Sequence, residues 1–384
     1  MTANTLGMTN FRNVEMANVD LSPNVNIILG DNAQGKTNLL EAMSVFALGK
    51  SFRASADREL IRFGSDWSEL RLDFATDRRA GQDMRVRYVP GERKQQTVNG
   101  VTVAKQSDSL GIFRAVLFTP DHLELVKEAP ELRRRFVDGA VCQLKPYFAG
   151  IVSSFNKVLG QRNALLKKAS AGEKLSDTID VWTQKLCELS VEIFRYRYWY
   201  IKHLAASAPI FYGGMTAGRE DFFIKYTCIP AKNRLPETFS KPTGDICDGT
   251  IDFKSDALLK IYADHYNKHL PIDVKAGRTL SGPHRDDIHF FIDEQPVKLY
   301  GSQGQQRSVV LALKLAEGQV SYDLTNEHPL YLFDDILSEL DKNRQEYILN
   351  QLNKRQMIVT SCNSEFFTGI EGANRIAVKD GTYT

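Results

Sequence analysis

The spacing of apolar and polar positions changes several times along the chain, and each change marks an element. Residues 25–29, VNIIL, are a short β-rich apolar run. They pass directly into GDNAQGKTN and then LLEAMSVFAL, so a strand, a glycine-rich loop and an amphipathic helix follow one another. Further on, ELRLDF, MRVRYV and TVNGVTV alternate with a period of two, which predicts antiparallel strands before residue 118, with Asn99-Gly100 as a hairpin turn. The period then becomes helical. Ile179, Trp182, Leu186, Leu189, Ile193, Tyr196 and Tyr200 alternate spacings of three and four. This seam faces a partner helix carrying Phe148, Ile151, Phe155, Val158 and Leu165, and ASAGEK is the turn between them. Residues 231–250 read as a long irregular loop, and IHFFIDEQPVKLY (288–300) as a hairpin. Leu330 to Phe333 are a continuous apolar run of the kind found at the centre of a parallel sheet.

Composition adds limits rather than an identity. With 384 residues, 42% hydrophobic and 25% charged, the chain suits one large domain or two to three smaller ones. Its 49 Lys+Arg against 47 Asp+Glu leave a net charge of only +2, so a polyanion would have to be held by a local patch. One candidate patch is the helical arm. Residues 151–210 hold Lys157, Arg162, Lys167, Lys168, Lys174, Lys185, Arg195, Arg197 and Lys202 against Glu173, Asp177, Asp180, Glu188 and Glu192, with Arg133 to Arg135 at the base. Such a run is either a solvated helix face or a sequence-insensitive grip on nucleic-acid phosphates. The five cysteines stand singly without a CxxC pair, which suits buried small side chains in a reducing compartment. The first residues lack a signal-peptide pattern and no run of about eighteen apolar residues occurs, so a soluble cytoplasmic protein is expected.

The chemistry concentrates at two stretches. Gly30 to Thr37 fit the P-loop pattern G-x-x-x-x-G-K-[ST] between a strand and a helix. Gly30, Asp31, Asn32, Ala33, Gln34, Gly35, Lys36, Thr37 and Asn38 are the expected cradle for the phosphates of ATP. Lys36 would reach the β/γ-phosphates and the Thr37 hydroxyl would bind Mg²⁺. That ion also wants a carboxylate at the end of a neighbouring buried strand. Asp334 and Asp335 follow LYLF there, the first assigned to Mg²⁺ through water and the second to the attacking water as general base. A competing assignment makes the two acids a helix N-cap; their place about thirty residues after GSQGQQRS (301–308) favours the first. His265 and His269, four apart on a helix, lack a third ligand and read as a solvated face.

In its succession of GDNAQGKTN, SFR (51–53), GPHRDD (282–287), YGSQGQQRS and FDDILSELD, nearly the whole chain resembles the RecF family of bacterial DNA repair proteins, among the SMC-like ABC-type ATPases. The resemblance implies an α/β fold: an SMC-like P-loop ATPase head with an antiparallel β-subdomain, plus an inserted mainly helical arm. Residues 1–127 and 272–384 would form the head and 128–271 the insertion, which has no room for the long coiled coil of SMC proteins. It further implies that Ser302, Gln303, Gly304 and Gln305 contact ATP on the P-loop of a second protomer. Gly301 and Gly304 would let backbone approach phosphate, Ser302 would donate to the γ-phosphate, and a helix starting near Gln305 would point its N-terminus at that charge. The implied activity is a weak ATPase, with Lys36 and Asp335 as catalytic groups, in an ATP-dependent homodimer that closes on double-stranded DNA at gap junctions. RecR and RecO are the implied partners, with RecA loading and the SOS response downstream.

Departures from the wider ABC pattern are also legible. Asp335 stands where transport motors usually carry Glu, Thr360, Ser361 and Cys362 stand where they carry a switch histidine, and Thr119-Pro120-Asp121 where they carry a loop glutamine. These speak against a transport motor. The remaining alternative is a nucleotide-stabilised scaffold without useful hydrolysis.

Overall fold

The computed structural model describes residues 1–175, 177–230, 238–239, 255–337, 340–363 and 372–384. Two compact units result: residues 1–122 with 314–384, and residues 123–313. The first begins with β1 (Thr2–Phe11), β2 (Val14–Asp20), β3 (Val25–Leu29), α1 (Lys36–Leu48), β4 (Ser68–Thr76), β5 (Arg79–Tyr88), β6 (Gln95–Val98), β7 (Val101–Thr102) and β8 (Ala115–Phe118). The second contains α2 (Glu124–Lys127), α3 (Pro130–Leu144), α4 (Tyr147–Ser170), α5 (Ile179–Thr216), β9 (Phe222–Thr227), β10 (Thr238–Phe239), α6 (Ser255–Ala276), β11 (Asp287–Ile292), β12 (Gln295–Pro296) and α7 (Val297–Tyr300). The residues of α8 (Gln303–Thr325) divide between the units, and β13 (Leu330–Asp334), α9 (Lys342–Gln351), β14 (Met357–Ser361), β15 (Asn374–Lys379) and β16 (Thr382–Tyr383) complete the first.

In the first unit, β15, β3, β14, β13 and β8 lie side by side in parallel, with β16 as an antiparallel edge. The uninterrupted apolar runs explain their central place: every residue of β14 and all of β13 up to Phe333 are buried. A second, antiparallel sheet has the order β2-β1-β4-β5-β6-β7. Between them α1 is apolar on most of its surface. Its Leu39, Leu40, Met43 and Phe46 share one core with Ile28, Leu332 and Ile358 of the parallel sheet and Leu6, Leu70 and Leu72 of the antiparallel one. The Asn99-Gly100 turn is present, with φ of 50° and 76°, the two left-handed positions that a two-residue hairpin needs. The β1–β2 hairpin went unforeseen, because TANTLGMTNF alternates imperfectly; β1 is also held by β4, which pairs with it from Thr2 to Thr9.

In the second unit α4 and α5 form the expected helical hairpin, and the sheet β10-β9-β11-β12 includes the expected hairpin from Asp287 to Pro296. The seam differs in detail. Leu166 rather than Leu165 is fully buried on α4, while Trp182, Leu189 and Tyr196 are only half-buried on α5. The cause is that α5 also packs against α6 and β9, which buries Cys187, Ser190 and Phe194 on a second face. Most of the loop expected over 231–250 lies outside the described residues; Thr238 and Phe239 within it pair with β9.

Three arginines of the expected basic arm are not surface charges. Arg162 is fully buried, donating to Asp273 at 2.9 Å, Thr279 at 2.6 Å and Thr183 at 3.1 Å. Arg197 grips Asp138 with two bonds of 2.8 Å and reaches Asp286 at 3.4 Å, and Arg133 grips Asp287 at 2.7 and 3.1 Å. A guanidinium removed from water is tolerated only with such partners. GPHRDD therefore supplies two of the acids that hold α3 and α5 together. His265 and His269 also depart from expectation: they are half-buried and stacked at 4.0 Å, with His265 bonded to Ser281.

Candidate nucleotide-binding site

The site grows from the carboxyl ends of β3, β13 and β14 in the first unit. After β3 the chain must turn sharply into α1, and two glycines make that possible. A Cβ on Gly30 would lie 2.4 Å from the Val378 carbonyl oxygen of β15, and Gly35, the residue before α1, holds φ at 115°. The loop is braced from the C-terminal hairpin: the Gly381 amide donates to the Gln34 carbonyl, the Asp380 amide to the Gln34 side chain, and the Tyr383 hydroxyl to the Gly35 carbonyl.

These elements enclose a cavity of about 570 Å³ lined by Asp31, Asn32, Ala33, Gly35, Lys36, Thr37 and Asn38 together with Asp334, Asp335 and Thr360. The Lys36 ammonium folds over its own loop and donates to the carbonyls of Gly30 at 2.5 Å and Asp31 at 2.9 Å. Thr37 donates its hydroxyl to Asp334 Oδ1 at 2.8 Å. Burial raises the Asp334 carboxyl above its ordinary value, while the hydroxyls of Thr37 and Thr360 and the charge of Arg53 pull it back. Asp335 follows in the left-handed region, with φ of 54°. Asp341 caps α9, accepting from the Arg344 amide at 3.1 Å; Ser338 and Glu339 of SELD lie outside the described residues.

Thr37 and Asp334 thus bring two hard oxygen donors together, a set that suits Mg²⁺. From the end of β14, where a switch histidine is missing, Cys362 turns toward the loop. Its sulfur accepts from Lys36 at 3.1 Å, donates to Asn32 Oδ1 at 2.9 Å and stands 3.9 Å from Asp335 Oδ2. At the end of β8, where the loop glutamine is missing, the Thr119 amide donates to His122 Nδ1 at 2.9 Å.

Sequence reasoning missed part of the lining. Arg12 and Asn13 follow β1, Arg53 and Glu59 follow α1, and the Phe63 ring stands fully exposed beside Ile61. Behind them Glu41, wholly buried on α1, takes a bidentate bond from Arg12 at 2.9 and 2.5 Å and another from Ser51 at 2.5 Å, with Arg53 3.8 Å away. SFR is therefore the segment that Glu41 ties to the P-loop helix. One signal was available: a lone acid inside the apolar run LLEAMSVFAL has to be buried and partnered.

Ser302, Gln303, Gly304 and Gln305 belong to the second unit and do not line this cavity. They begin α8, two residues earlier than expected, and close a reciprocal cap. The Gln305 amide donates to the Ser302 hydroxyl at 3.2 Å and the Ser302 amide to the Gln305 side chain at 2.8 Å.

A P-loop and an acid-ended neighbouring strand in a parallel sheet, an antiparallel sheet across the P-loop helix, and a glycine-serine cap opening a long helix define an ABC-type head of the SMC kind. The RecF/RecN/SMC N terminal domain family matches residues 2–384. A protein of Ruminiclostridium cellulolyticum named "DNA replication and repair protein RecF" is 36% identical over 374 residues, 97% of this chain and 96% of that one. A Lactobacillus acidophilus protein of the same name is 36% identical over 362 residues, 94% of this chain and 92% of that one. Among solved structures, the recombination mediator protein RecF-ATP in the RecFOR pathway matches with a TM-score of 0.88 at 30% identity, covering 100% of this chain and 97% of that one. An Smc head bound to the C-winged helix domain of ScpA shares the fold alone, with a TM-score of 0.55 at 15% identity over 100% of this chain and 96% of that one. The chain belongs to the RecF family.

Proposed function

We propose that the chain is an ATP-switched DNA clamp of recombinational repair. The observation that carries this reading is the convergence of Lys36, Thr37, Asp334 and Asp335 on one cavity at the carboxyl ends of neighbouring strands. Residues 30–38 would take the phosphates, with Lys36 leaving its own loop carbonyls for the β/γ-phosphate oxygens, and Ile61 and Phe63 offering apolar surface to the base. Thr37, and Asp334 through water, would hold Mg²⁺, which neutralises phosphate charge. Asp335 would orient and activate water as general base; its short carboxylate accords with slow turnover.

The signature acts in trans in this reading. Ser302 and Gln303 are exposed, and the Ser302 oxygen accepts within the cap, so its hydrogen remains for a γ-phosphate on a second protomer. ATP binding closes the homodimer and hydrolysis opens it. Residues 1–127 and 272–384 would serve as the head and 128–271 as the inserted lobe, a functional division that counts 272–313 with the head although they pack in the second compact unit. Exposed Lys157, Lys167, Lys168 and Lys174 are the arm's phosphate contacts to double-stranded DNA at gap junctions. The RecFOR pathway named for a solved relative supports a place with RecR and RecO; RecA loading downstream and a cytoplasmic location belong to the same proposal. The scaffold alternative is separated by steady-state phosphate release with and without duplex. The direct test of the site is Lys36→Met. ATP affinity, read by equilibrium titration, should fall about 10- to 100-fold, the worth of one or two charge-assisted hydrogen bonds. Wild-type affinity in that variant would refute the P-loop assignment.

A further inference from the structure

The two acids of the candidate site are not independent of each other, and one hydroxyl joins them. Thr360 stands next to Asp334 in the parallel ladder of β13 and β14, and its side chain is 1% exposed. A threonine hydroxyl has one hydrogen to give and lone pairs to accept with. Here the hydrogen has Asp334 Oδ1 at 3.0 Å as its nearer acceptor and the Phe333 carbonyl at 3.4 Å as its farther one, while the oxygen accepts the Asp335 amide at 3.0 Å. The second bond matters because Asp335 has left the ladder. With φ of 54° it occupies the left-handed region, which residues other than glycine adopt uncommonly.

We propose that Thr360 is a positioning residue for hydrolysis: its hydroxyl fixes the direction in which Asp335 leaves the strand relative to the carboxylate of Asp334. This role for Thr360 rests on the ATPase reading above and adds a residue to it. Asp334 Oδ1 accepts from Thr37 at 2.8 Å and from Thr360, so it is oriented from the P-loop on one side and from β14 on the other. Asp335 is oriented through its backbone by the same Thr360 oxygen, with the Cys362 sulfur 3.9 Å from its Oδ2. Removing the hydroxyl leaves the bulk of the side chain in place but frees the Asp335 amide to turn, and the water-activating carboxylate turns with it. Binding of the nucleotide, which depends on the P-loop, is a separate matter.

The test compares Thr360→Val, which keeps the shape and loses the hydroxyl, with Thr360→Ser, which keeps the hydroxyl. Affinity is read with a non-hydrolysable ATP analogue and chemistry by single-turnover hydrolysis. Thr360→Val should bind within about threefold of wild type while its hydrolysis rate falls on the order of 10²-fold, the scale of a misplaced reacting group, and Thr360→Ser should recover most of that rate. Wild-type hydrolysis in the Val variant, equal loss in Val and Ser, or loss of analogue binding in a folded Val variant would each overturn the proposal. Should Thr360→Val not fold, Thr360→Cys, a weak donor of similar size, replaces it under the same criteria.

If the wild type itself neither binds nor hydrolyses ATP, the parent reading fails and Thr360 is judged separately, by hydrogen exchange of the Asp335 amide, which donates to the Thr360 hydroxyl at 3.0 Å. Thr360→Val should speed exchange of that amide and Thr360→Ser should not; unchanged exchange in the Val variant would show that the bond is not made.

Discussion

His284 shows how much a single residue of an unassigned motif can contribute. It donates from Nε2 to the Thr279 carbonyl at 3.1 Å, its Nδ1 is buried without a partner, and the Phe155 ring lies 5.9 Å away. Burial depresses its pKa from 6.5 to about 4. The unfolded chain takes up this proton near pH 6.5 and the folded one only near 4, so the stabilisation is complete above 6.5 and is lost as pH falls to 4. The size is about 3 kcal/mol. Asp286, pushed up to about 6 by burial against the pull of Arg197, works in the opposite direction between its ordinary range and 6. His284→Gln isolates the histidine: urea unfolding at pH 7 and pH 4.5 should show a smaller loss of stability in the variant than in wild type. Equal losses would remove His284 from the acid response. None of this could be read from GPHRDD, because the burial of the imidazole is set by α4 and α5, more than a hundred residues earlier in the chain for Phe155.

At the scale of elements, period and turn chemistry carried the prediction well, and charge carried it poorly. The helical hairpin, both hairpin turns and the apolar strands before the two acids follow from local spacing. Which arginines stay on the surface does not, since the acids that hold Arg197, Arg162 and Arg133 lie 59, 111 and 154 residues away. Two kinds of arm residue should therefore behave differently. Arg197→Ala strands Asp138 and Asp286, and should cost about 3–5 kcal/mol of stability. Replacing Lys157, Lys167 and Lys168 by Ala should leave unfolding within about 0.5 kcal/mol per site, yet weaken duplex binding and flatten its salt dependence. Chemical denaturation alongside DNA titration at two salt concentrations checks both. A stable Arg197→Ala protein with the DNA defect would reverse the assignment of buried and surface roles.

For the whole molecule, the order of motifs made the fold class legible because each motif needs a set structural context: strand before loop, helix after it, acid at the end of a neighbouring strand. The surrounding shell was not legible in the same way. Arg12, Arg53 and Phe63 reach the cavity, with Glu41 buried behind them, from segments whose mutual placement depends on how the antiparallel sheet packs on α1. The central claim is that ATP closes two copies and hydrolysis releases them, and Asp335→Asn addresses it most directly. That change keeps size and hydrogen bonding but removes the base, while Asp334 retains its hydroxyl partners. The measurement is dissociation of labelled duplex after competitor challenge in ATP, with light scattering for mass, and Ser302→Arg as the variant that binds ATP but cannot assemble. Asp335→Asn should accumulate as an ATP-bound dimer that leaves duplex more slowly than wild type, faster at high salt, while Ser302→Arg should stay monomeric. An Asp335→Asn protein that remains monomeric, or releases duplex as fast as wild type, would contradict the central claim.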